Sequence, residues 1–463
     1  MIIARGRSEA WLKLPVAALK PWADLNDVTF NAITVGPLPG FEQRGSTVIA
    51  AEDLSAGNAE PLMIIPRDLV LSQEAVRLHA KSDQHLREVL DALAEFGRTD
   101  RFRYVKFLPE ELLPTFWTEY ERELLIGTTL KPAVEAKIKS LNKEFDQLRT
   151  ATEQIKWCAE EWWDEEDGHL SFDDWLQVDA MYRSRALEFP GIGDSMVPCI
   201  DMANHASGDA TVALYEADSD GNAALLLREG KEVKKDDEIT ITYGDKKGVC
   251  EMLFSYGFIE DNMTSARELF LDLEIPNDDP LKRAKLHVNT SAPGFRVFDS
   301  DDADATAGST SWQSDFIWLV IVNEEDGLEF EVAQTTDGGR ELRVYWNGSV
   351  LEEPDKLKDV LKAHPMWDVY RLRAVSLIQD RVETQLRLLY GTEDEVKAAR
   401  RGEFTGIREN VWSLATRLRD LEKDLLERAY GSLEEEKERL VETETVQQYL
   451  QAMAQQEPEE DFT

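Results

Sequence analysis

Cysteine is scarce in this chain. Cys158, Cys199 and Cys250 are three residues in 463, far apart and odd in number. That argues against a disulfide framework and against a cysteine-built zinc cluster, and it suits a reducing compartment. Histidine is almost as rare, with six in all. No apolar run approaches the roughly 20 residues a membrane helix needs. The opening stretch MIIARGRSEAWLKLPVAALKPW is broken by Lys13, Pro15 and Lys20, which argues against a secretory signal. Positive charge is also short: 52 Lys plus Arg face 91 Asp plus Glu, a net of −39. Such a surface repels a phosphate backbone, so direct nucleic-acid binding is not expected. It attracts basic partners and speeds their encounter. The 42% hydrophobic composition is that of a folded chain, and a cytoplasmic protein is expected, with the nucleus as a second location.

The common catalytic signatures are missing as well. There is no Walker loop, no GxSxG elbow, no HExxH and no CxxC. GPLPG has neither the spacing nor the following helix of a dinucleotide fingerprint and reads as a turn. The acidic triplet Asp236–Asp237–Glu238 reads as a solvated turn between strands.

What is present divides the chain into regions. Residues 22–70 alternate apolar runs with Gly and Pro, the pattern of short strands and tight turns. Residues 71–187 are mostly helical by spacing, and their last helix opens at LSFDDW, where Ser171 caps and Asp174 sits in the first turn. Strands return in MVPCID, TVALYEA, AALLLRE and EITITYG, followed by a short helix around Val249–Ser255. Strands split by a helical stretch indicate one α+β domain assembled from distant pieces. Beyond about residue 266 a second domain begins with strand-like FIWLVIV and LRVYWNGSV and ends in long helices. There Leu414, Leu418, Leu421 and Leu425 share a face, and Gly391 stands where a C-cap belongs. The expected boundaries are 1–70, 71–187, 188–265, 266–450 and an acidic, disordered tail 451–463.

Three short segments carry the chemistry: RGSTVIAAEDL from Arg44, MYRSRAL from Met181, and MVPCIDMANHA from Met196 continuing to EITITYGDKKGVCEMLFSYGFIEDN. Singly, each has a plain structural reading. Gly45 can end a strand, Arg185 can face a helix C-terminus, and Asn204–His205 can be a capped turn. Tyr243 and Tyr256 can be core aromatics with a wet hydroxyl.

Together and in this order, they resemble the SET-domain methyltransferases, in particular the branch typified by the Rubisco large-subunit lysine methyltransferase. The resemblance runs from about residue 22 to 450. It implies a β-rich, pseudoknot-like SET fold of short strands, split by a helical insertion and followed by a mainly helical substrate-binding domain. It implies S-adenosyl-L-methionine as cofactor, held by Arg44, Gly45, Ser46, Arg185, Asn204, His205, Tyr256 and Phe258. It implies a substrate pocket lined by Asp201, Tyr215 and Tyr243, with Tyr243 the catalytic residue and no metal. One departure stands out: the second glycine of the family's G-x-G is Thr47 here, so a Cβ stands where none is expected.

The implied activity is protein-lysine N-methylation of a basic, non-histone protein of the ribosomal-protein or translation-factor type. The alternatives are histidine methylation on the same fold and a non-catalytic SET-fold adaptor. The chemistry needs alignment and a neutral nucleophile. A lysine with a pKa of about 10.4 is deprotonated roughly once in a thousand or less at neutral pH, a deficit of about 4 kcal/mol that the site or solvent must offset. An aromatic channel lowers that pKa by desolvation, and Tyr243 positions the nitrogen and need not accept its proton.

Overall fold

Glycine and proline punctuation cuts the N-terminal region into short strands: β1 Thr29–Phe30, β2 Ile33–Pro37, β3 Ser46–Ala50, β4 Leu54–Ser55 and β5 Met63–Ile65. The computed structural model describes residues 15–40, 45–56, 60–94, 112–164, 170–300, 308–334, 339–401 and 406–456. Among the described residues the next elements are helices, from Gln73–His79 through the long Leu130–Thr152 to Phe172–Arg185. Ser171 caps the last of these as its spacing predicts, in a reciprocal box with Asp174.

Strands resume as β6 Leu187–Phe189, β7 Gly193–Ser195, β8 Ala213–Ala217, β9 Ala223–Leu227 and β10 Glu232–Val233. The late strands pair with the early ones. One antiparallel sheet runs β1-β5-β9-β8, with Met63 opposite Leu225, and β10 pairs with β4. Pieces on either side of the helical stretch therefore complete a single sheet. Val48, Met63, Ile65, Val197, Ile200, Leu225 and Ile241 share one apolar core beneath it.

Two sequence expectations change in this region. EITITYG forms no regular strand. It makes isolated bridges, Glu238 to Ile49 and Ile241 to His205, because it is clasped between two segments and is not laid in a ladder. MVPCID bends into a 3-10 turn at Ile200–Met202, with Cys199 at φ 70°; Pro198 forbids a continuous ladder there.

By compactness the chain forms two units. The first comprises Met1–Trp117, Ala133–Lys247 and Leu253–Gly257; the second comprises Thr118–Pro132, Gly248–Met252 and Phe258–Thr463. The second unit carries two three-stranded sheets, β11 Glu268–Asp272 with β12 Gly294–Asp299 and β13 Thr310–Gln313, and β14 Leu328–Gln334 with β15 Arg340–Trp346 and β16 Ser349–Leu351. Its helices Trp367–Gly391 and Glu409–Val441 pack on each other, burying Leu418, Leu421 and Leu425 of the expected stripe. Gly391 is the last residue of its helix, one position before the C-cap, Thr392.

FIWLVIV is a correction: Phe316–Val320 is a helix with Phe316, Ile317, Trp318 and Leu319 all buried. A short run that is apolar on every side has no period to separate helix from strand. Ser314 decides it locally, its Oγ accepting the Ile317 amide at 2.9 Å. The helix Glu444–Gln456 also runs through residue 451, where the disordered tail was expected to start; residues 457–463 lie outside the described part.

Candidate active site

The site is organised where the segment Ala203–Ala206 runs alongside Ile239–Tyr243 in the first unit. Ile241 N donates to Asn204 O at 3.0 Å, and Ala206 N donates back to Ile241 O at 2.9 Å. Side chains tighten the clasp. Asn204 Nδ2 donates to Glu238 Oε1 at 2.6 Å, and the Tyr243 amide donates to His205 Nδ1 at 2.9 Å. Tyr243 Oη donates to Ala203 O at 2.8 Å. Asp245 Oδ1 accepts from Gly208 N and Thr242 Oγ1, each at 3.0 Å, and those bonds hold its carboxyl below the usual carboxylate range. Glu238 is thus no free turn residue; a half-buried carboxylate accepting from the Asn204 amide is part of the lock.

The clasp sets three rings in a row. His205 and Tyr243 stack with centroids 5.1 Å apart, and Tyr243 and Tyr256 stack at 4.7 Å. Tyr256 is the last residue of the helix Val249–Tyr256, which the chain ends at Gly257 with φ 78°. Tyr215, on β8, joins this group. Burial first, then Glu188 and Tyr256, push its hydroxyl above the ordinary tyrosine range, so it stays protonated.

The helix Phe172–Arg185 delivers arginines from its last turn. Arg185 Nη1 donates to Asp201 O at 2.9 Å, and the Asp201 carboxylate stands 3.9 Å from it. Ser184 Oγ donates back to Ala180 O at 2.8 Å, within its own helix. Arg183, not singled out by sequence, holds the last turn of the Tyr256 helix. It donates to Phe254 O at 2.6 Å, lies over the Phe254 ring at 4.3 Å and pairs with Asp179 at 3.1 Å.

Gly45 enters β3 at φ 82°, exposed, and a Cβ built there meets nothing within 4 Å. Among the described residues, that leaves room for a ligand against the Gly45 backbone. Thr47 is 1% exposed, and none of its atoms comes within 4 Å of that built Cβ. Its Oγ1 is buried without a hydrogen-bond partner among the described residues. The substitution for the second glycine therefore leaves the open side of Gly45 clear.

Of the residues singled out by sequence, Gly45, Ser46, Arg185, Asp201, Asn204, His205, Tyr215, Tyr243 and Tyr256 fall in the first unit. Phe258, half-buried after the Gly257 turn, falls in the second. Arg44 lies outside the described residues. Glu238 and Arg183 escaped sequence reasoning. An acid three positions before Ile241–Thr242–Tyr243, in a chain with a lone Asn-His pair, was the available signal for the first; nothing in spacing marks the second. Among the described residues, no group of three or more His, Cys, Asp or Glu is placed to hold a metal ion, and no helix is long and apolar enough to cross a membrane.

This is the SET-domain fold, and comparison with known proteins agrees. No family model matches the chain. SET domain-containing protein 8 of Schizosaccharomyces pombe (strain 972 / ATCC 24843) is 27% identical over 293 residues, which are 62% of this chain and 63% of that protein. The match thus spans less than two thirds of that relative. Among solved structures, Rubisco LSMT bound to AdoMet superposes with a TM-score of 0.62 at 18% identity, covering 96% of this chain and 98% of the other. The SET domain of LSMT bound to MeLysine and AdoHcy gives 0.60 at 19% identity over 96% and 98%. The α+β fold expected from sequence, short strands split by helices and followed by a helical C-terminal region, is the one observed.

Proposed function

We propose that this chain is an S-adenosylmethionine-dependent protein-lysine N-methyltransferase acting on a basic protein. The observation that carries the reading is the His205–Tyr243–Tyr256 stack, held by the clasp around Asn204, in the same unit as Gly45 with its open side. The fold neighbours were solved with AdoMet or AdoHcy, and one of them with methyllysine, which supports the same ligands here.

The residues fit the cofactor. Gly45 and Ser46 offer open backbone, Arg185 offers a guanidinium suited to a carboxylate, and Asn204 and His205 offer main-chain groups beside an aromatic wall. When bound, S-adenosylmethionine supplies an activated methyl group on a positively charged sulfur. The protein's task is then positioning. Tyr243 gives its one hydroxyl proton to Ala203 O, so towards an incoming amine its oxygen can only accept a hydrogen bond. It therefore orients an N–H and turns the nitrogen lone pair away from itself. Tyr215, kept protonated, retains its donor. The stacked rings favour a methylated ammonium through their π faces and disfavour a hydrated one by desolvation.

The net charge of −39 favours a basic substrate, of the ribosomal-protein or translation-factor type met in the cytoplasm. Calorimetric titration with S-adenosylmethionine tests the reading, with saturation near one per chain expected. Residue-level mapping of the mark on candidate basic proteins then separates lysine from histidine acceptors. A well-folded sample that binds no cofactor would put the adaptor reading in its place.

A further inference from the structure

Beside the aromatic stack lies an amine that belongs to the chain itself. Lys247 Nζ sits over the Tyr256 ring, 5.7 Å from its centroid, and Tyr256 in turn stacks on Tyr243. The lysine stem is laid across Gly244. A Cβ at that glycine would meet Lys247 Cε at 2.9 Å and Cγ at 3.2 Å. Gly244 also takes φ 130°, a conformation side chains rarely adopt. The glycine after Tyr243 thus leaves a bare stretch of backbone that the stem of Lys247 crosses on its way to the ring. Lys246, its neighbour, is exposed. Lys247 is half-buried, and four positions of chain tie it to Tyr243.

We propose that Lys247 is an acceptor for the chain's own site, so that the protein methylates itself there. The inference rests on the methyltransferase reading. A tethered amine already resting on the aromatic wall needs no encounter step, which is the situation in which intramolecular reactions gain most. The lysine first gives one proton to water. Its Nζ lone pair then forms the N–C bond to the methyl carbon as the C–S bond breaks, and the bonding pair leaves on sulfur. The products are N-methyl-Lys247 and S-adenosylhomocysteine. Methylation keeps the positive charge, and the methylated head remains a good partner for the Tyr256 face.

The full-length protein is incubated with S-adenosylmethionine carrying a deuterated methyl group, and its peptides are mapped by mass. The label is expected on Lys247 and not on Lys246. The amount per chain at a given time should be unchanged when the protein is diluted a hundredfold. The initial rate should rise about tenfold per pH unit on the acid side of the amine's pKa, near 10.4 for a free lysine. Lys247→Arg should abolish the label while leaving cofactor titration unchanged, and Tyr243→Phe should abolish it with cofactor still bound. A readout without cofactor comes from reductive methylation with carbon-13 formaldehyde. The Lys247 signal, assigned by its loss in Lys247→Arg, should be displaced by the ring current of Tyr256 and should return to the common position in Tyr256→Leu.

Saturable cofactor binding with no label on Lys247, even at alkaline pH, overturns the proposal and leaves the methyltransferase reading standing. Labelling that speeds up with protein concentration, or an undisplaced Lys247 signal, also overturns it. Absence of cofactor binding removes both readings together.

Discussion

His205 and Tyr243 are joined twice: the Tyr243 amide donates to His205 Nδ1 at 2.9 Å, and the two rings stack at 5.1 Å. An imidazole that accepts a backbone N–H at Nδ1 is neutral and carries its proton on Nε2. The stretch Ala203–Ala206 and the stretch before Tyr243 are thereby fixed to each other at the point where the aromatic row begins. The histidine that drew attention by its rarity positions a tyrosine.

Tyr243→Phe isolates the hydroxyl. It removes one bond to Ala203 O, with an expected stability loss of about 1 kcal/mol. Methyl transfer should fall by about a hundredfold or more, while the cofactor dissociation constant changes little. Single-turnover assays beside calorimetry check the split. Unchanged turnover would remove Tyr243 from the mechanism.

The Asn204–Glu238 contact predicts coupling. Asn204→Ala and Glu238→Ala should each cost about 1 to 3 kcal/mol by urea denaturation, since each removes a charge-assisted bond and strands its partner. The double variant should lose less than the sum, by about 1 kcal/mol. Cofactor affinity should weaken in Asn204→Ala because the clasp loosens. Strict additivity would mean that the two side chains do not act as a unit.

Much of this site was legible because its residue types are rare and ordered: an Asn-His pair in a chain with six histidines, then two tyrosines thirteen positions apart. The sheet β1-β5-β9-β8 was legible as two groups of strands around a helical stretch. The pairing of β5 with β9 was not, since a ladder between residues so distant leaves no local trace. Glu238 was misread for the same reason: an acid in a turn looks solvated until the chain brings Asn204 to it. Phe316–Val320 failed differently, because a uniformly apolar run has no period from which to choose helix or strand.

In the second unit, Glu121 predicts a pH dependence. Burial alone would raise its carboxyl, but Arg408, bonded through side chain and backbone, overrides this, together with the Thr118 amide, and brings it from 4.5 to about 2. A carboxyl depressed in the folded state adds stability that is fully present above its unfolded pKa of about 4.5, and that is lost as pH falls towards about 2. Glu121→Gln should therefore lower the urea midpoint most at about pH 6, and the gap to the unaltered protein should close as pH drops through that window. A gap independent of pH would place the loss in packing.

Gly45→Val tests whether the open side of Gly45 is a cofactor cradle. The substitution forces a branched side chain to φ 82°, costing about 1 to 2 kcal/mol, and fills space that no atom of the described residues occupies. Gly230→Val makes a matched comparison, since it too has positive φ, 74°, and nothing within 4 Å of a built Cβ. Both variants should lose similar stability, whereas only Gly45→Val should lose S-adenosylmethionine binding, by about tenfold or more, equivalent to about 1.4 kcal/mol. Thr47→Gly should leave that affinity within a factor of about two, because the threonine is buried away from the opening. Tight binding retained in Gly45→Val would show that the open side of Gly45 is empty for a reason other than the cofactor. The Thr47 replacement would then carry no functional meaning in either direction.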